Sequence, residues 1–313
     1  MRWKKQDTKR VLIGLGLVLG IIFLTARFYH PKPKTAPKPS RAKAAQKAAA
    51  PVSKHMNASI PRAAEPAMPR VRTFPPLPKP LPRVMRAGAP KIVFIIDDVG
   101  HTMEYLDDFK RLGNRVTYAI LPFLKNSAFF DRMSMDTGAE VILHIPLESV
   151  NDTIPGPGLI RTNMSNDYVL DILDRELDLL PHCIGANNHM GSKGSADPWL
   201  MEIILNRLKQ RNLIFLDSRT TSQSVSPQIA SMIGLPILKR DVFLDNDPND
   251  LTAIREQVKL LADIARKRGY AIGIGHYHGP TLRILNEEIP RLQAEGFEMV
   301  SLRDILRLRK SGS

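Results

Sequence analysis

The sequence predicts an α/β domain, a (β/α) barrel over residues 91–313, preceded by a transmembrane helix and a disordered linker. Three observations carry that expectation. From Lys91 onward, short β-branched runs alternate with longer stretches of helical spacing, the pattern of parallel strands covered by helices. Seven or eight such units within roughly 220 residues fit a barrel better than an open doubly wound sheet, and no G-x-G-x-x-G follows the first run. Charge is also divided unevenly. The 313 residues carry a net +14, but residues 1–90 hold 19 Lys and Arg against Asp7 and Glu65, while residues 91–313 hold 26 against 29 Asp and Glu. The basicity therefore belongs to the tail, which argues against a nucleic-acid-binding domain and against nucleic acid as a partner. Cys183 is the single cysteine, so no disulfide framework is possible.

Residues 1–10, MRWKKQDTKR, form a basic head, and the run from Val11 to Ala26 is uncharged. Extended to Tyr29, with Arg27 snorkelling, the segment 11–29 approaches the roughly 20 apolar residues a membrane span needs. A basic flank stays on the cytoplasmic side. The expectation is a single-pass anchor in a bacterial inner membrane, with a cytoplasmic N-terminus, a periplasmic domain and the membrane as a partner. A cleaved signal peptide is the alternative, although Leu24 stands where cleavage after Ala26 would want a small residue. Residues 30–90 are rich in Pro, Ala and Lys and hold 14 of the 25 prolines. Proline removes backbone donors and like charges repel, so this linker is expected to be disordered.

Within the domain, strands are expected at 91–96, 115–120, 139–143, 183–186, 213–216, 235–238, 270–274 and 297–300. Helices are expected at 102–112, 125–136, 166–180, 197–211, 226–233, 250–268, 281–294 and 302–309. Asn166 or Asp167 is a candidate cap for the third helix, and Asp197 before Pro198 is a helix start with proline in the first turn.

The strand ends carry the chemistry. KIVFII runs into Asp97-Asp98, AEVIL into His144, CIGA into Asn187-Asn188-His189, and LIFL into Asp217-Ser218-Arg219. The 235–238 run leads to Arg240-Asp241, and YAIGIG ends at His276. In a parallel barrel these carboxyl ends share one face, where active sites are built. Polar side chains delivered there by six strands are costly as packing and economical as a site. One carboxylate of the Asp97-Asp98 pair with the imidazoles of His144 and His189 makes a three-ligand set for Zn²⁺ or a similar divalent ion. The other carboxylate is then a candidate general base, and His276 a candidate acid. Glu148 is a further ligand or an orienting group.

IIDDVG at 95–100, HIPLE at 144–148, NNHMGS at 187–192, FLDSRT at 215–220, RDVFLD at 240–245 and GIGH at 273–276 together resemble the divergent polysaccharide deacetylase family, of the NodB-like carbohydrate esterase superfamily. The resemblance spans roughly residues 90–305. It implies a distorted barrel of about seven parallel strands and metal-dependent removal of acetyl groups from N-acetylated sugars, a hydrolysis of C–N bonds other than peptide bonds. By the superfamily pattern Asp97 is the base, Asp98 a metal ligand and His276 the general acid. The pattern's H-x-x-x-H is here His144 with Glu148 in second place, so His189 is taken to supply the missing imidazole. The D-x-x-D-W signature is absent, and Asn188, Asp217, Arg219, Arg240 and Asp241 are candidate supporting groups. The expected substrate is an envelope glycan, peptidoglycan or another N-acetylated polysaccharide. The competing expectation is an inactive module of the same fold that binds such a glycan or a protein. Trp199 and Tyr277 are candidate sugar-stacking rings.

Overall fold

A computed structural model describes Arg86 and residues 88–311. The basic head, the 11–29 segment and nearly all of the 30–90 linker lie outside the described residues. Among the described residues, no helix is long and apolar enough to cross a membrane. The longest of them, Leu251–Arg268, has 18 residues, but charges at Arg255, Glu256, Lys259, Asp263 and Arg266 to Arg268 make it amphipathic. The expected transmembrane helix at 11–29 therefore forms no part of the described fold. Membrane anchoring as part of the function, the membrane as a partner, and an inner-membrane location with a periplasmic domain accordingly find no support in it.

Among the described residues, nine strands form one sheet in which every pairing is parallel. They are β1 (Lys91–Val99), β2 (Val116–Ile120), β3 (Glu140–Leu147), β4 (Cys183–Met190), β5 (Ile214–Asp217), β6 (Ile237–Lys239), β7 (Val242–Phe243), β8 (Tyr270–His276) and β9 (Glu298–Met299). The order is β6-β5-β4-β3-β2-β1-β8-β7, with β9 added beside the start of β1. The two edge strands β6 and β7 are separated only by Arg240 and Asp241. The Arg240 amide donates to the Asp217 carbonyl on β5 (3.0 Å), and the Asp241 amide donates to the Ile272 carbonyl on β8 (2.8 Å). One bent segment thus serves both edges, and the sheet is a curled parallel half-barrel rather than a closed barrel.

Seven of the described helices cover the outside. These are α1 (Leu106–Leu112), α2 (Ser127–Thr137), α3 (Asn166–Leu179), α4 (Pro198–Gln210), α5 (Ser226–Ile233), α6 (Leu251–Arg268) and α7 (Gly279–Ala294). Asp197 caps α4 by accepting from the Leu200 amide (2.8 Å), with Pro198 in the first turn. Ser165, not Asn166 or Asp167, caps α3. The eighth helix, α8 (Leu302–Ser311), lies across the amino ends of the strands. The Leu302 amide donates to Glu140 at the start of β3 (2.8 Å), and Arg309 donates to the Ile237 carbonyl at the start of β6 (3.0 Å).

Strand alternation divides the apolar residues into two cores. Ile92, Phe94 and Ile96 of β1 join the helix-facing core, with Phe109, Phe130 and Leu285. Val93 and Ile95 join the inner core with Ile142, Leu216, Leu238, Ile272, Ile274 and, from α8, Leu302 and Ile305. The same alternation continues upward. After Val93 and Ile95 the inner position is Asp97, after Ile142 it is His144, and after Ile272 and Ile274 it is His276. On β4 a register shift between its pairings with Val141 and Leu143 changes the parity, so Ala186 packs outward and Asn187 and His189 turn inward. A polar layer therefore sits directly on the apolar filling of the half-barrel.

Candidate metal centre

Ordinary alternation would send Asp97 and Asp98 to opposite faces of β1. Instead the register with β2 shifts between Ile96 and Val99, and Asp98 takes φ 62°. Aspartate tolerates that left-handed conformation better than most side chains. The bulge brings both carboxylates to one imidazole, with His144 Nε2 3.5 Å from Asp97 Oδ2 and 3.3 Å from Asp98 Oδ1. His189 Nδ1 stands 3.1 Å from Asp98 Oδ1 and 3.2 Å from His144 Nε2. The ligand atoms of Asp98, His144 and His189 all lie within 4.8 Å of one another.

This donor set fits a divalent cation. Asp98 Oδ1 is buried, and its two imidazole neighbours lack hydrogen-bond geometry toward it. His144 Nδ1 is 2.8 Å from Asn187 Oδ1. An amide oxygen only accepts, so Nδ1 carries the proton and Nε2 is left with its lone pair toward Asp98 and His189. The amide's orientation follows from its other end, where Asn187 Nδ2 donates to Asp97 Oδ1 (2.9 Å) and to Ser218 Oγ (3.1 Å). Burial pushes Asp98 upward, but the two imidazoles outweigh it and hold the carboxyl well below its usual range. For Asp97 burial wins over His144 and His276, and its pKa is raised. His144 is raised as well, because Asp97 and Asp98 overcome the opposing effect of burial.

His276 stands beside Asp97 in the β1–β8 register. Its Nδ1 is 2.9 Å from Asp245 Oδ1, while Asp245 Oδ2 accepts from the His276 amide (2.7 Å) and from Thr281 Oγ1 (2.6 Å). Burial lowers the imidazole's proton affinity. The Asp245 hydrogen bond and charge, with smaller help from Asp97 and Asp98, override this and push its pKa up to about 9. Nε2 is left as the proton-bearing nitrogen available to a ligand.

The other residues singled out by sequence divide into groups near this centre and groups away from it. Glu148 is buried and spends both oxygens on the protein. Oε2 accepts from the Thr162 amide (2.9 Å) and hydroxyl (2.8 Å), and Oε1 accepts from Lys193 (2.9 Å) and Arg161 (3.4 Å). These donors hold it at about 2, so it clamps the loop after β3 and does not join the ligand cluster. Asn188 ties the end of β4 to the next loop, accepting from the Ser218 amide (2.9 Å) and donating to Thr220 (3.1 Å). Asp217 accepts from the Arg219 amide and the Ser224 hydroxyl (2.8 Å each), which shapes the turn after β5. Arg219 is exposed on that turn with φ 53°. Arg240 packs over the Phe243 ring and donates to the Ser218 carbonyl (2.7 Å). Burial and Arg219 lower its pKa, while Asp97 and Asp217 oppose that shift. Asp241 belongs elsewhere, pairing with Arg268 and accepting from the Ile272 amide in the middle of β8. Tyr277 is buried among Tyr105, Phe109 and Phe130, whereas Trp199 is partly exposed on α4.

Three residues of this centre carry no assigned role in the sequence reading. Asn187 was overshadowed by Asn188 and His189 in the same NNH run. Asp245 closes the RDVFLD motif and was visible as a motif aspartate, but nothing in the spacing pairs it with His276. Ser218 is one of many serines, and no local pattern distinguishes it.

Comparison with known proteins bears on what such a centre is for. The family model described as "Divergent polysaccharide deacetylase" matches residues 94–306. The chain belongs to that family. An uncharacterized protein of Haemophilus influenzae is 31% identical over 220 residues, covering 70% of this chain and 78% of the relative. The uncharacterized protein YibQ of Escherichia coli is 30% identical over 204 residues, covering 65% of this chain and 64% of the relative. The crystal structure of an uncharacterized protein from Agrobacterium tumefaciens matches with a TM-score of 0.67 at 23% identity, covering 71% of this chain and 92% of the other. That likeness supports the fold. A divergent polysaccharide deacetylase with an Asp–His–His cluster at the carboxyl ends of its strands is a metal-dependent hydrolase of the deacetylase kind.

Proposed function

We propose that residues 91–313 form a deacetylase domain that hydrolyses the acetamide of an N-acetylated glycan, with Zn²⁺ held by Asp98, His144 and His189. The observation that carries this reading is the convergence of those three ligand atoms within 4.8 Å of one another, with Asp97 at one side and the Asp245-backed His276 beside it. A two-imidazole, one-carboxylate set suits Zn²⁺ and leaves a coordination position open. The cation, when bound, supplies Lewis-acid polarisation of the acetamide carbonyl and acidifies a water molecule.

The chain's own groups do the rest. Asp97 Oδ1 is engaged by Asn187, so Oδ2 is the oxygen that takes the proton of the attacking water. Burial makes Asp97 a stronger base than an exposed aspartate. His276 holds Nδ1 on Asp245 and delivers the Nε2 proton to the departing amine, so that acetamide and water become acetate and a free amine. Asp217, Asn188 and Glu148 fix the surrounding loops, while Arg219 and Arg240 flank the rim as candidate contacts for the glycan.

The test uses the purified full chain. Metal analysis and calorimetry with Zn²⁺ are expected to give one cation per chain, with affinity reduced more than about 100-fold in His189→Ala. Acetate release from N-acetylated oligosaccharides is expected in the wild type, and its loss with metal binding retained in Asp97→Asn. Failure of the wild type to bind any divalent cation below millimolar concentration would overturn the mechanism. Metal binding without acetate release would favour the glycan-binding module.

A further inference from the structure

We propose that Asn187 is a positioning residue that sets two parts of this centre at once, fixing the coordinating face of His144 through its carbonyl and the orientation of Asp97 through its amide nitrogen. The inference rests on the function proposed above and concerns a residue outside the ligand set.

Asn187 has no exposed surface. Its Oδ1 meets His144 Nδ1 at 2.8 Å, and its two amide hydrogens go to Asp97 Oδ1 at 2.9 Å and Ser218 Oγ at 3.1 Å. Both donors are used, and the acceptor faces the imidazole nitrogen that does not coordinate. Only a primary amide on a short stem satisfies this arrangement. An aspartate accepts from His144 but offers nothing to Asp97, and it places a second carboxylate beside the first. An aliphatic residue leaves Asp97 Oδ1 and His144 Nδ1 without their partner in a buried site.

The backbone explains why one strand provides both functions. The register shift on β4 turns positions 187 and 189 inward together, so His189 supplies a ligand atom and Asn187, two residues earlier, supplies the support. Nearly every metal-bound histidine has its second nitrogen held by an acceptor, and removal of that acceptor costs about 10–100-fold in affinity or activity. Here the acceptor is a neutral amide whose other end reaches the base, so ligand geometry and base geometry are mechanically coupled.

The two ends separate by substitution in the full-length chain. In ¹⁵N-histidine-labelled wild type, His144 is expected to show a slowly exchanging Nδ1–H in both metal-free and Zn²⁺-loaded protein. Asn187→Leu removes all three bonds, and should expose that proton to fast exchange and weaken Zn²⁺ binding about 10–100-fold. Asn187→Asp retains the acceptor. It should keep the slowly exchanging proton and hold Zn²⁺ affinity within about threefold, while acetate release at full metal loading falls about 100-fold. Unchanged Zn²⁺ affinity and proton exchange in Asn187→Leu would overturn the inference, as would an Nδ1 proton in fast exchange in the wild type. The exchange measurement on metal-free wild type needs neither metal binding nor turnover. A wild type that binds no cation yet shows the protected proton therefore refutes the proposed function while leaving the Asn187–His144 bond established.

Discussion

Replacing Asp245 by asparagine tests the proton inventory of the centre through a single buried atom. Asp245 accepts three hydrogen bonds, from the His276 ring, the His276 amide and Thr281. An asparagine accepts on one side only. If its oxygen stays with the amide and hydroxyl, its NH₂ faces Nδ1, and the imidazole must give up the Nδ1 proton. The wild-type ring's pKa is pushed up to about 9 from an ordinary 6.5, and each pH unit of that difference is worth about 1.4 kcal/mol, so the charged ring contributes at most about 3.5 kcal/mol. A histidine whose folded pKa is raised gives its full contribution below the unfolded value and loses it as pH rises. Here the window runs from about 6.5 to about 9. In metal-free protein, Asp245→Asn should bring the His276 titration, followed by ¹³C-labelled histidine NMR, down to about 7 or below. Urea denaturation should show a wild-type advantage of about 3 kcal/mol at about pH 6 that narrows by about pH 9.5. A wild-type His276 titrating near 6.5, or one still titrating near 9 in the Asp245→Asn protein, would overturn this account.

Three further outcomes follow from the packing. Glu176 is fully buried with both carboxylate oxygens unpartnered, and burial drives its pKa well above the ordinary value. A carboxyl raised in the folded state costs stability as pH climbs above about 4.5, so Glu176→Met should stabilise the protein by about 1–3 kcal/mol at about pH 7, with a gain that shrinks below about pH 4.5; a loss at neutral pH would contradict it. Glu148 is shifted the other way, to about 2. Its four donors therefore stabilise the fold above the ordinary carboxylate range, and the deficit of Glu148→Gln in urea should diminish as pH falls from about 4.5 toward about 2. At Gly185 an added Cβ would stand 2.5 Å from both the carbonyl oxygen and the side chain of Ile214 on β5. Gly185→Ala should accordingly cost about 1–3 kcal/mol by thermal or chemical denaturation.

Most element boundaries of the α/β domain were legible in the sequence because strand and helix periods differ. The helices at 166–180, 226–233 and 250–268 are observed within a residue of expectation. Strand ends were less legible, for a consistent reason. β1, β3 and β4 continue three or four residues past their apolar runs, through Asp97, His144 and Asn187, because those polar residues remain in the ladder to line the centre. Hydropathy ends a strand where its chemistry begins. β7, two residues long, has no local signal, since its pairing depends on a bend that returns the chain to β8.

The linear chain was enough to specify the alternation of elements, the family motifs and the rim residues Asp97, Asp98, His144, His189 and His276. These depend on local periodicity and residue type, which a sequence records directly. Which of them meet was settled only in three dimensions. The bulge at Asp98 sends two neighbouring carboxylates to one imidazole, the shift on β4 turns Asn187 and His189 inward together, and Asp245 arrives beneath His276 from 31 residues away. The folded chain also keeps other groups apart, committing Glu148 to its loop and Asp241 to Arg268. The reason is that a hydrogen bond or a ligand distance is fixed by backbone parity and sheet curvature across strands, and neither quantity is written in any one segment of the chain.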